Sequence, residues 1–213
     1  MSNFLNNKEK YSKLQKNVIF DDSKEIKVLK GRRAGASTLA LMLSLEVSST
    51  LYVTKSRLME NNFFNKTSFL LEEEDHIKIL KKEKGSSISS IIFFNYLTQK
   101  THTLYITNIG LLDCTSYFFE GRKKLTGISK IIFDEIGPNE EGRFFFEDAL
   151  KPDQVYFFFD STFEDASWHI APSFCNPSIK QETIKDLKEN FNPETFREEI
   201  MAGLGIPLED CLK

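Results

Sequence analysis

The sequence predicts an α/β fold: a mainly parallel central sheet flanked by helices, with a small helical lid at the C-terminal end. Three observations carry this. "EIKVLK" (25–30), a glycine-bearing loop and "STLALMLSLEV" give strand, loop and helix in succession, the layout of a phosphate-binding loop. "KIIFDEIG" (130–137) and "QVYFFFDST" (154–162) are apolar without alternation, as strands covered on both faces are. From "NPSIKQETIKDLKENFNPETFREEIMAGLG" onward the pattern turns helical, with an Asn-Pro expected to open each of two helices.

The remaining elements follow in order. Residues 1–20 predict a short amphipathic helix, and in the helix after the loop Leu39, Met42, Leu43 and Glu46 follow helical spacing. "STLYVT" (49–54) is a second strand and "ENNFFNKTSFLLEE" a second helix. "HIKILKKEKGSS" and "SSIIFFNYLTQKTHTLYITNIG" hold several short strands with "KKEKGSS" as a turn, and "RFFFEDAL" reads as a short helix. The expected division is a core over 1–175 and a helical lid or linker over 176–213.

The 213 residues suffice for one α/β domain with a sizeable core. Net charge is only −3 but uneven: residues 1–40 carry 9 Lys/Arg against 4 Asp/Glu, and residues 134–213 carry 7 against 18. That places positive charge near the loop, or is simply solvated surface, and does not announce a nucleic-acid binder. Cys114, Cys175 and Cys211 form no C-x-x-C pair, and His76, His102 and His169 have no ligand spacing, so a reducing compartment and no metal cluster are expected. No apolar run approaches membrane-spanning length, and the lysine-rich N-terminus is not a secretory signal.

The loop is where chemistry is expected. In the pattern G-x-x-x-x-G-K-[ST], Gly31, Gly35 and Ser37 stand in place, and Ala36 occupies the lysine position. Backbone N–H groups over Gly31, Arg32, Arg33, Ala34, Gly35, Ala36, Ser37 and Thr38 would face an anion, helped by the helix dipole. Ser37 is the expected Mg²⁺ ligand from the loop. Lys30, Arg32 and Arg33 lie just upstream, and Lys30 at the strand end is near enough in sequence to serve the same phosphates. "KIIFDEIG" supplies the second element, a Walker B pattern: Asp134 to hold Mg²⁺ and Glu135 to polarise an attacking water. Ser161 and Thr162, ending the strand "FFFDST", form the third, where hydroxyls can sense the γ-phosphate. The three together define a P-loop NTPase of the kind with a catalytic glutamate after the Walker B aspartate (ASCE type), with ATP and Mg²⁺ as cofactors.

In this order, the motifs resemble the ATPase domain of the large terminase subunit of tailed phages, the viral DNA-packaging motor. "KGRRAGAST" resembles its arginine-rich Walker A loop, and "GRKKLTGISKIIFDE" its Arg-Gly segment leading into Walker B. "FFFDSTFEDASWHI" looks like its coupling motif, and "FCNPSIKQETIKDLKENFNPETFREEIMAGLG" is similar to the segment beyond it. The resemblance runs from about residue 26 to about 205. It implies a subunit that hydrolyses ATP to translocate viral double-stranded DNA into a procapsid, in the host cytoplasm and without a membrane. It further implies a portal, a small terminase subunit, a homo-oligomeric (pentameric) ring when active, and a catalytic Arg32 facing the γ-phosphate.

Some family members carry the lysine at the start of the loop, so the resemblance implies that Lys30 replaces the lysine missing at Ala36. An engineered loss of the lysine and a naturally inactive site remain open; either would leave a non-hydrolysing assembly or DNA-binding subunit. A neighbouring subunit's arginine is expected in such a ring, with Arg122 and Arg143 as candidates, and Lys123 and Lys124 are candidate DNA contacts. The family usually continues into a nuclease domain. Glu209 and Asp210 cannot form a two-metal site alone, so no nuclease domain is expected, and a separate chain or domain would cut the DNA.

Overall fold

The computed structural model describes residues 13–31, 34–109, 125, 127–136, 146–148, 150–159, 169–171, 173 and 179–201. Helix α1 (Lys13–Ile19) leads into β1 (Glu25–Lys30), then α2 (Ala36–Glu46), β2 (Ser49–Thr54) and α3 (Arg57–Glu72). Three strands follow, β3 (Ile77–Glu83), β4 (Ser89–Asn95) and β5 (Lys100–Asn108), then β6 (Lys130–Asp134), β7 (Gln154–Phe159) and β8 (His169–Ala171). The described chain ends in α4 (Gln181–Asn190) and α5 (Pro193–Thr195), the latter running into a π-helical turn over Phe196–Ile200.

All eight strands join one sheet in the order β3-β4-β5-β2-β6-β7-β1-β8. The pairs from β5 to β8 are parallel. The hairpins β3–β4 and β4–β5 add an antiparallel wing. The expected adjacency of the strands "EIKVLK", "KIIFD" and "QVYFFF" is present: β6, β7 and β1 are neighbours, with Asp134 opposite Phe158 and Val28 opposite Phe158 on its other side.

The apolar runs are buried on both faces because alternate residues serve opposite layers. Ile26, Val28, Tyr52, Ile132, Tyr156 and Phe158 pack with α2 and α3 in one cluster. Leu51, Val53, Ile131, Phe133, Val155 and Phe157 fill the other, where Phe133 stacks on Phe157 at 5.2 Å. Lys30, Asp134 and Tyr52 therefore all belong to the α2/α3 side of the sheet, by their even register with Val28, Ile132 and each other.

Helix α2 forms as expected, and every residue from Leu39 to Ser44 is buried, because the helix lies within the cluster rather than at its rim. Of the spaced set, only Glu46 is exposed, where it pairs with Lys130 at 2.6 Å. The first Asn-Pro pair, Asn176 and Pro177, lies outside the described residues; α4 starts at Gln181 with Lys180 as its cap. The second pair behaves as expected, with the Asn192 side chain accepting from the Thr195 N–H at 2.8 Å and Pro193 in the first turn. Ile184, Phe196, Ile200 and Met201 form a small buried cluster of their own. Half of "RFFFEDAL" lies outside the described residues, and the described half, Phe146 to Asp148 and Leu150, is helical.

Candidate active site

The C-terminal edge of the parallel strands is where loops can converge on a ligand, and the chemistry-bearing residues gather there. Lys30 is the last residue of β1 and Asp134 the last of β6. Lys30 Nζ lies 3.2 Å from Asp134 Oδ1 and 3.3 Å from Glu135 Oε1, one ammonium spanning both acids. Adjacent residues of a strand point to opposite faces, so one cation cannot ordinarily reach both. It does so here because Glu135 leaves the strand in the left-handed region at φ 61, while its N–H donates to Phe158 O at 2.8 Å. A non-glycine residue held there is the kind of local strain that collects at functional sites.

The loop between β1 and α2 is tight. Ala34 N–H donates to Gly31 O at 3.2 Å, and Gly35 caps α2 in the left-handed region at φ 93. A side chain at 35 would be strained there, and its Cβ would come within 3.2 Å of the Gln15 amide nitrogen. Among the described residues, no side chain caps α2. The N–H groups of Ala36, Ser37 and Thr38, in its first turn, have no acceptor within the helix, which suits an anion. Arg32 and Arg33 lie outside the described residues, as do Ser161 and Thr162, Arg122, Lys123, Lys124 and Arg143.

The sequence reading missed Tyr52. Its hydroxyl donates to Asp134 Oδ2 in a short hydrogen bond. Burial pushes the phenol pKa well up, and the Asp134 charge adds to this, so the hydroxyl stays protonated and a donor. Phe63 of α3 stacks on the ring at 3.6 Å. Lys66 on the same helix was also missed. Its side chain as a whole is exposed, yet desolvation lowers its ammonium pKa, with the Asp134 charge opposing. Neither residue belongs to a local motif; only the pairing of β2 with β6 and the packing of α3 bring them to the acids.

The site suits a hard divalent cation. Asp134 Oδ1 is buried and makes no hydrogen bond, having only the ion-pair contact with Lys30. An oxygen left in that condition is costly unless a cation takes it up. One carboxylate and one hydroxyl are also the sparse protein ligand set that Mg²⁺ accepts when phosphates complete its shell. Asp134 and Ser37 are the residues that would hold it.

Solved structures that share this fold include phage large terminases. The chain is similar to the large terminase of a thermophilic bacteriophage in complex with ATP-γ-S, with TM-score 0.64 and 11% identity. It is similar also to the ATPase domain of the Thermus phage P74-26 large terminase (0.57, 11%), covering 89% of this chain and 92% of that one. The HK97 bacteriophage large terminase is a third, at 0.55 and 12% identity over 90% of this chain and 50% of that one. The chain spans about half the first of these, 90% of its own length against 52% of the terminase. No family model and no curated protein matches the sequence.

Proposed function

We propose that the chain is an ATP-hydrolysing motor subunit that drives viral double-stranded DNA into a procapsid. The observation that carries this is the single ammonium of Lys30 set between Asp134 and Glu135, beside a helix start open to an anion. The terminase neighbours, one solved with ATP-γ-S and another with ADP, support the same reading. Ser37 and Asp134 hold Mg²⁺, which supplies charge neutralisation at the phosphates. The backbone from Gly31 to Thr38 cradles the phosphates, and Lys30, on a flexible stem, exchanges a carboxylate for a phosphate oxygen. Arg32 faces the γ-phosphate, Glu135 orients the attacking water, and Ser161 and Thr162 pass the loss of phosphate onward. Catalysis is positioning and charge stabilisation rather than covalent chemistry.

Residues 176–213 act as a helical lid or linker, supported by the separate apolar cluster of α4 and the turn after α5. The partners are DNA, a portal and procapsid, a small terminase subunit, and further copies of this chain in a ring. The motor acts in the host cytoplasm; among the described residues, no helix is long and apolar enough to cross a membrane.

A non-hydrolysing reading has one observation in its favour: Lys30 is engaged by acids, and Ala36 offers no second ammonium. The deciding measurement is ATP turnover with and without double-stranded DNA. The motor reading expects DNA-stimulated hydrolysis that falls about 100-fold or more in Glu135→Ala. ADP binding without turnover, unchanged by Glu135→Ala, would establish the alternative.

A further inference from the structure

We propose that Tyr52 is a positioning residue for the metal-binding carboxylate of Asp134; this rests on the nucleotide reading above. In the parallel pair β2–β6, Tyr52 is opposite Ile132 and Thr54 is opposite Asp134. Tyr52 and Asp134 are thus diagonal neighbours on one face, a separation that an aromatic side chain bridges. The ring is 2% exposed and is held by Phe63 stacked at 3.6 Å and 11°. Its hydroxyl therefore has one place to go, and it donates to Asp134 Oδ2. That bond uses one carboxylate oxygen and turns the other, Oδ1, toward Lys30. Without it the carboxylate rotates about its last bond and presents either oxygen. A second hydrogen-bonded partner of this kind is what orients a ligand before the metal arrives.

Tyr52→Phe keeps the ring, its burial and the Phe63 stack, and removes only the donor. The test titrates Mn²⁺ into the ADP complex by electron paramagnetic resonance, beside ADP binding in EDTA and thermal melting. Mn²⁺ affinity is expected to fall about 10- to 100-fold, with metal-free ADP affinity unchanged. In an Asp134→Asn background the same change should have no further effect on Mn²⁺, because Tyr52 acts through that carboxylate. ADP binding with Mn²⁺ affinity unchanged in Tyr52→Phe overturns the assignment alone. So does a parallel loss of metal-free ADP binding and melting temperature, which marks a structural tyrosine. Wild-type protein that binds no ADP overturns the nucleotide reading and the assignment with it.

Discussion

Two carboxylate clusters flank a single residue at the same edge of the sheet. Thr54 of β2 pairs with Asp134 on one side and with Asn108 of β5 on the other. On the β5 side, Glu60 is fully buried and both of its oxygens are used. Oε1 accepts from Ser89 at 3.1 Å and from Arg57 in a short bond, and Oε2 accepts from Asn108 at 2.7 Å. Arg57 is itself fixed by a 2.6 Å bond to Gly85 O. On the β6 side, Asp134 keeps one oxygen without a hydrogen bond, and its cation sits on a flexible stem. Both clusters bury negative charge, but only one is saturated. A saturated carboxylate locks α3 to the β3–β4 hairpin; an unsaturated one is available to a ligand.

The largest expected effect comes from breaking the saturated cluster. Glu60→Ala strands Ser89 and Asn108, both buried, and should cost on the order of 3–5 kcal/mol. For a chain of this size that is a fall in melting temperature of about 10 °C. ADP affinity, measured well below the new transition, should hold, since the cluster is built for the fold. A loss of ADP binding without a loss of stability would reverse the assignment of the two clusters.

Next comes Lys30→Ala. Removing the only described cation touching both acids should lower turnover by about 100-fold or more, and Arg33→Ala should do far less. The melting temperature should fall less than in Glu60→Ala, because the Glu135 side chain is 32% exposed and the buried Asp134 keeps its hydrogen bond from Tyr52. Ala36→Lys in the Lys30→Ala background should restore part of the turnover. Turnover unchanged by Lys30→Ala, with activity switched on by Ala36→Lys alone, would show that the lysine has not moved and that the site is inactive as it stands.

The two clusters were unequally legible in the sequence. Asp134 and Glu135 end an apolar run, and Lys30 precedes a loop glycine, so local pattern exposes them. Glu60 lies in a polar stretch of "RLMENNFFNK" and reads as a solvated helix face, yet it is 0% exposed because the hairpin folds over it. Tyr52 reads as a core aromatic in "STLYVT"; its hydroxyl acquires meaning only from the register against β6. The parallel core was visible in runs such as "KIIF" and "YFFF", since burial on both faces leaves a compositional trace. That β3, β4 and β5 would extend the same sheet past β2 was not, because strand partners are chosen by long-range pairing and not by local propensity.

A third carboxylate sharpens the comparison by separating saturation from burial. Asp21 accepts from the Ser23 N–H at 2.9 Å and meets His169 Nε2 at 2.7 Å, tying the segment before β1 to edge strand β8. It is well partnered, as Glu60 is, but its side chain is 22% exposed. Hydrogen bonding from the Ser23 side chain, then from His169, lowers its pKa from 3.8 to about 2. A folded pKa below the unfolded one means stability that is present above about pH 4 and lost as pH falls toward 2. Solvent screening keeps the contribution small, so Asp21→Asn should cost no more than about 1 kcal/mol at pH 7. In urea unfolding, the gap between wild type and Asp21→Asn should begin to close below pH 4. A gap that stays constant from pH 7 to pH 3 would mean the effect is not carried by the carboxylate charge. A cost at pH 7 as large as that of Glu60→Ala would mean that partners, rather than burial, set what a carboxylate contributes to this fold.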